Sequence, residues 1–182
     1  MSTLIRNGCI SNLGSYSDAV ATWCESKMGR QVGNGECWTL ADEGLKAVAQ
    51  NCKAHGTEPC LPSQSYIHGA LIYSFISTDS TNPEALGGIL ETGVARGDVV
   101  QILSAVLKSR DGRRTGYAGD PDHTAVITSV EANGILKVVE SNVGGVKNVK
   151  RGSYDMSELV KGEVRIYRAV GESWLGKLDP TW

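Results

Sequence analysis

The sequence has no surplus of either charge: 18 lysines and arginines stand against 20 aspartates and glutamates, a net charge of -2. No long basic run breaks that balance, so the electrostatic footprint of a polyanion-binding surface is missing and nucleic acid is not an expected partner. Also missing is any run of about 18 apolar residues, the length a bilayer span demands, and no membrane association is expected. The opening residues MSTLIRNGCISNLGSYSD lack the apolar stretch and small-residue cleavage site of a secretory leader, which points to a soluble, cytoplasmic protein. Repeats, linkers and low-complexity tracts are absent too. What is left, 182 residues with 41% hydrophobic and 21% charged content, is the make-up of one domain spanning 1–182 with its core at about 15–170.

Cysteine pairs are missing as well. The five cysteines, Cys9, Cys24, Cys37, Cys52 and Cys60, are odd in number and form no CxxC spacing, so at least one thiol is expected to be free. A reducing compartment argues against a Cys52–Cys60 bridge. Histidines are scarcer still: His55 in a polar stretch, His68 inside an apolar one where a structural role is expected, and His123 at the start of an expected strand.

Along the chain, Ser17 or Asp18 suits the cap of a helix carrying Ala19, Val20, Trp23 and Cys24, with Gly29 placed to end it. A second helix is expected from about Cys37, with Ala41, Leu45 and Val48 at helical spacing. Ser65 to Ser77 is apolar enough for a helix or a buried strand; periodicity does not separate them, and the reading leans to helix. RGDVVQILSAVLKS is rich in β-branched residues and reads as a strand, followed by a glycine-, arginine- and aspartate-rich loop from Ser109 to Asp122. Two further strands flank Asn133-Gly134, a dipeptide suited to a tight hairpin, and EVRIYRA follows a short helical piece near Met156 to Val160. Helices first and an antiparallel sheet after them is an α+β layout.

Cys37 stands where the glycine-rich QVGNGE turn meets the second helix. A helix N-terminus favours negative charge, and with it the nucleophilic thiolate, while its first N–H groups can face a developing oxyanion. By itself this position fits an ordinary buried cysteine better than a nucleophile. A nucleophilic thiol needs a base, and His123 is the histidine best placed to reach a cleft. The base needs an orienting group, and the hairpin brings the start of the His123 strand near Glu140 and Asn142 at the end of the next one. Glu140 is the first candidate for that role and Asn142 the second.

These residues resemble the papain-like cysteine hydrolase fold. GECW is similar to the surroundings of the papain-type nucleophile, with Gln31 six residues upstream where that family places its oxyanion-hole glutamine. DHTAVI resembles its histidine strand, ILKVVESNVGG its asparagine strand, with Glu140 where papain-type enzymes carry Asn, and GEVRIYRA its closing strand. The chain is equally similar to the CHAP and NlpC/P60 amidase-peptidases, in which a Gly-Asp strand, here Gly97-Asp98-Val99-Val100, precedes the histidine and an E-x-N, here Glu140-Ser141-Asn142, follows it. Cysteine proteinase-fold domains of fungal actin-patch proteins also look similar around GNGECW. The resemblance runs from about Gln31 to Ala169 and leaves Cys52 to Ala95 unmatched. The disulfides and secretory leader of lysosomal and extracellular relatives are absent.

The resemblance implies a nucleophile-bearing helix packed on an antiparallel sheet, and a hydrolase cleaving an amide or peptide bond through a thioester. Cys37 would be nucleophile, His123 general base, Glu140 its orienting group, and the Cys37 N–H and Gln31 the oxyanion donors. Peptide, protein and peptidoglycan-like amides all suit such a triad. No cofactor and no metal are expected: Asp111, Asp120 and Asp122 lack the spacing of a calcium loop and read as solvated. The competing expectation is a papain-like module that holds a peptide or protein without cleaving it.

Overall fold

The computed structural model describes residues 16–78 and 84–178. Its frame is a six-stranded antiparallel sheet in the order β1-β6-β2-β3-β4-β5. The strands are β1 (Ala70–Thr78), β2 (Val99–Lys108), β3 (Thr115–Val130), β4 (Ile135–Glu140), β5 (Lys150–Asp155) and β6 (Leu159–Arg168). Three α-helices accompany it among the described residues: α1, described over residues 16–25, α2 (Cys37–Ala54) and α3 (Glu84–Glu91). None of the described helices is long and apolar enough to cross a membrane.

The sheet separates two cores, because alternate residues of a strand face opposite sides. On one side, Val20, Ala21 and Cys24 of α1 and Leu40, Ala41, Leu45 and Val48 of α2 pack on Val99, Val126, Val139 and Tyr167. The two helices meet closely at Gly44: a Cβ there would press on Cys24 Sγ at 2.9 Å and Val20 at 3.4 Å, so the crossing admits no larger residue. On the other side, Val100, Ile102, Ala125, Ile127, Val138, Val164 and Ile166 pack with Ile89 of α3 and with Met156 and Leu159. Asn133-Gly134 makes the expected hairpin between β3 and β4. Gly134 has φ +80°, and its N–H donates to Glu131 O at 2.8 Å.

The antiparallel sheet and the helix from Cys37 agree with the sequence reading; several details differ. Residues 70–78 form β1 instead of a helix, pairing along β6 from Ala70↔Arg168 to Thr78↔Lys161. A short apolar run fits either element, and the open edge of β6 decides it, burying Tyr73 and Ser77 and leaving Leu71, Ser74 and Ile76 exposed. Helices do not all come first, since α3 lies between β1 and β2. The loop expected to Asp122 ends at Arg114: β3 starts at Thr115 and pairs with the far end of β2, so exposed glycines and charges form strand because a partner edge supplies their hydrogen bonds. His123 is therefore inside β3.

Ser17 and Asp18 lie within α1 and do not cap it; Asp18 instead accepts from Arg96 Nε at 2.7 Å. Gly29, with φ +75°, does turn the chain after α1, and its N–H reaches Val149 O at 2.9 Å. The helical piece near Met156 is a single 3-10 turn, Met156–Glu158, before β6 begins. Cys24, Cys37, Cys52 and Cys60 are free thiols. Cys9 lies outside the described residues.

Candidate active site

Cys37 is the first residue of α2, and Glu36 stands at the cap in extended conformation, its side chain making no capping hydrogen bond to the helix. The turn before it is built by Asn34, whose Oδ1 accepts from Glu36 N at 3.0 Å and from the Thr39 hydroxyl at 2.7 Å. Asn therefore ties the approach of the chain to the first turn of the helix. A second segment clamps the same turn. Ser141 Oγ donates to Glu36 O at 3.3 Å, Asn142 Nδ2 to Glu36 Oε2 at 2.8 Å and Lys147 Nζ to Asn34 O at 3.2 Å. Gln31 also bridges to Asn148.

His123 and Glu140 come from neighbouring strands, in the register Ala125↔Glu140. By alternation both share the face of Ala125 and Val138. His123 Nε2 lies 3.0 Å from Glu140 Oε2, with both side chains over nine-tenths buried. The Cys37 side chain lies near enough to the ring to act on it by hydrogen bonding and by charge. Burial alone disfavours the charged imidazole, yet the Cys37 and Glu140 interactions outweigh it and push the His123 pKa up to about 9. For Glu140, burial works against the charge, but hydrogen bonds from His123 and Tyr154 hold its pKa below the usual carboxylate range.

Cys37, His123 and Glu140 are thus brought together. Asn142 is not part of that group: β4 ends at Glu140, Asn142 adopts φ +58°, and its amide goes to Glu36. Gln31 lies over Gly35, two residues before Cys37, and its Nε2 donates to Gly33 O at 3.2 Å. The other histidines stand elsewhere. His55 is exposed at the end of α2 with Nδ1 2.8 Å from Asn51 O. His68 is fully buried, holds Ser63 Oγ at 2.9 Å, and is pushed by burial down to about 4.

Two residues at the site were not found from sequence. Tyr154 donates its hydroxyl to Glu140 Oε2 at 2.6 Å. Gly152 leaves room for the carboxylate, since a Cβ there would run into Glu140. Both sit on β5, whose sequence KRGSYD carries neither alternation nor β-branched residues. Had it been read as a strand, the two-residue spacing of Lys150, Gly152 and Tyr154 would have put all three on the Glu140 face.

Residues 10–179 match the family model described as the AIM3/BBC1 cysteine proteinase-fold domain. Altered inheritance of mitochondria protein 3 of Debaryomyces hansenii is 30% identical over 169 residues, covering 93% of this chain and 17% of that protein. The SH3 domain-containing protein C23A1.17 of Schizosaccharomyces pombe is 24% identical over 166 residues, 88% of this chain and 9% of that one. The chain therefore spans under a fifth of the length of these relatives. Among solved structures, the crystal structure of Ly7917 matches with a TM-score of 0.41 and 17% identity, over 84% of this chain and 62% of that one.

Proposed function

The chain belongs to the AIM3/BBC1 cysteine proteinase-fold domain family, and from that membership we propose a cysteine-dependent hydrolase of amide or peptide bonds, using Cys37, His123 and Glu140. The observation that carries the proposal is His123 held between two partners, with Nε2 on Glu140 and the Cys37 side chain near enough to hydrogen-bond the same ring. A third group fixing the tautomer of a base beside a thiol is the arrangement nucleophilic catalysis needs.

His123 takes the Cys37 thiol proton and Sγ attacks the carbonyl carbon: a C–S bond forms, the C=O π bond opens, and the oxygen takes the negative charge. The Cys37 N–H, one of the amides a helix start leaves without an intrahelical acceptor, faces that charge. A primary amide has two N–H donors, and Gln31 spends one on Gly33 O, so its second is the other donor in this scheme. His123 passes its proton to the leaving nitrogen as the C–N bond breaks, giving a thioester. Water then attacks the thioester, His123 takes its proton, and the C–S bond breaks to release the acid and Cys37. Peptides, proteins and peptidoglycan-like amides are the substrate classes, and the cytoplasm is the proposed location.

Iodoacetamide labelling at mildly acidic pH tests this, with the modified residue read by mass spectrometry. Burial pushes the thiols of Cys24 and Cys60 up to about 12, so they should stay inert while Cys37 reacts stoichiometrically. A second reading, an interaction module that binds without cleaving, draws support from the small share of long relatives that the chain represents, one of them named for an SH3 domain. Cys37 labelling no faster than the other thiols would replace the hydrolase reading with that one.

A further inference from the structure

Glu140 Oε2 receives two donors at once: His123 Nε2 at 3.0 Å from β3 and the Tyr154 hydroxyl at 2.6 Å from β5. The two rings stand beside each other, centroids 6.3 Å apart and planes at 55°. The register of β5 on β4 puts Tyr154 on the Glu140 face, and Gly152 between them keeps the space into which the carboxylate fits. We propose that Tyr154 is a positioning residue of the site, holding Glu140 Oε2 against His123 and tempering how strongly the carboxylate draws on the imidazole proton. The catalytic meaning of this rests on the hydrolase reading; the hydrogen-bond relay does not.

The physics is competition for one oxygen. A hydroxyl donating to Oε2 stabilises the ionised carboxylate and lowers its affinity for a proton, so less of its basicity passes on to His123. Burial, followed by the charge of Glu140, pushes the Tyr154 hydroxyl far up, which keeps it a protonated donor. The charged and titratable groups facing this cluster are His123 from β3, Tyr154 and Lys150 from β5, and Cys37 from α2, which acts on both His123 and Tyr154. Removing the hydroxyl should make Glu140 and His123 both more basic, so both limbs of a pH profile move in the same direction.

The test is an NMR titration of the His123 imidazole in the full chain, wild type against Tyr154→Phe, alongside the pH profile of Cys37 alkylation by iodoacetamide. The expected result is a His123 midpoint about one pH unit higher in Tyr154→Phe, the size of shift that losing one hydrogen bond to a charged group brings. The alkylation profile should move with it. In a second arm, 3-fluorotyrosine at position 154, a stronger donor of nearly the same shape, should move the midpoint down. A Tyr154→Phe protein that loses only thermal stability while its midpoint stays in place overturns the proposal, as does an unmoved midpoint with fluorotyrosine if Tyr154→Phe does not fold. A shifted midpoint in a protein whose Cys37 labels slowly would sink the hydrolase reading and leave the relay standing.

Discussion

Asn142 gives its side-chain amide to Glu36, Nδ2 to Oε2 at 2.8 Å, and so braces the residue before the proposed nucleophile. Its replacement should therefore affect the seating of α2 more than the chemistry of the imidazole. Asn142→Ala is expected to cost about 1 kcal/mol in urea denaturation and to keep the wild-type pH profile of Cys37 alkylation. A profile lost with Asn142 would hand it the orienting role instead.

Glu140→Gln keeps the shape of the side chain and an oxygen for Tyr154 while removing the charge opposite His123. The expected outcome is a loss of about 100-fold in Cys37 alkylation or turnover near neutral pH, with an unchanged circular dichroism spectrum. A variant as reactive as wild type would exclude Glu140 as the orienting group.

Stability should carry the signature of His123. Its pKa is raised from 6.5 to about 9 in the fold, so the proton is bound more tightly folded than unfolded. The stabilisation is complete below the unfolded value and disappears as pH rises through the folded one. Between pH 6 and pH 10 the wild type should lose on the order of 3 kcal/mol more than a His123→Gln variant, the free-energy equivalent of that shift. Glu140, with its pKa depressed, works at the other end, its contribution lost as pH falls through its folded value. Urea melts across that range measure the difference between the two proteins; parallel curves would contradict it.

Gly152→Ala puts a methyl group where the Glu140 carboxylate lies. Overpacking at a filled site costs about 1–3 kcal/mol, and the displaced carboxylate should also slow Cys37 alkylation. The double variant Gly152→Ala with Glu140→Ala should regain part of the lost stability but none of the reactivity. Thermal melts and labelling rates on the wild type, the two single variants Gly152→Ala and Glu140→Ala, and the double variant separate the two effects.

Much of the site could be read from sequence because its parts are local signals. Asn133-Gly134 dictates a hairpin, a hairpin fixes which ends meet, and His123 and Glu140 follow from it. Cys37 was marked by the change from glycine turn to helical pattern. What escaped depends on partners far along the chain. Residues 70–78 became a strand because β6 offered an edge, and Thr115 to Asp122 did so because β2 continues past its bulge near Ser104. Asn142 looked like a member of the strand face, but strand pairing stops at Glu140 and its positive φ turns it to another loop. The Gly97-Asp98 pair is legible as a pattern, but its physical reason lies in the fold. Gly97, at φ +83°, leaves no space for a side chain against the Ser17 carbonyl, and buried Asp98 takes a two-pronged contact from Arg168 at 2.9 and 2.6 Å.

The sheet with a core on each side has one more consequence. Cys37 rides on a helix seated in one core, while His123 and Glu140 share the strand face that lines the other. The reactive pair therefore exists only when both layers have closed, like a lock that needs two keys. A cavity opened at Leu45, about two turns along the same helix, or at Ile166, far away in sequence on the other side, would reach the thiol through the layer it loosens. Alkylation of Cys37 is then a report on the whole fold, sensitive to partial opening that far-ultraviolet spectra would not register.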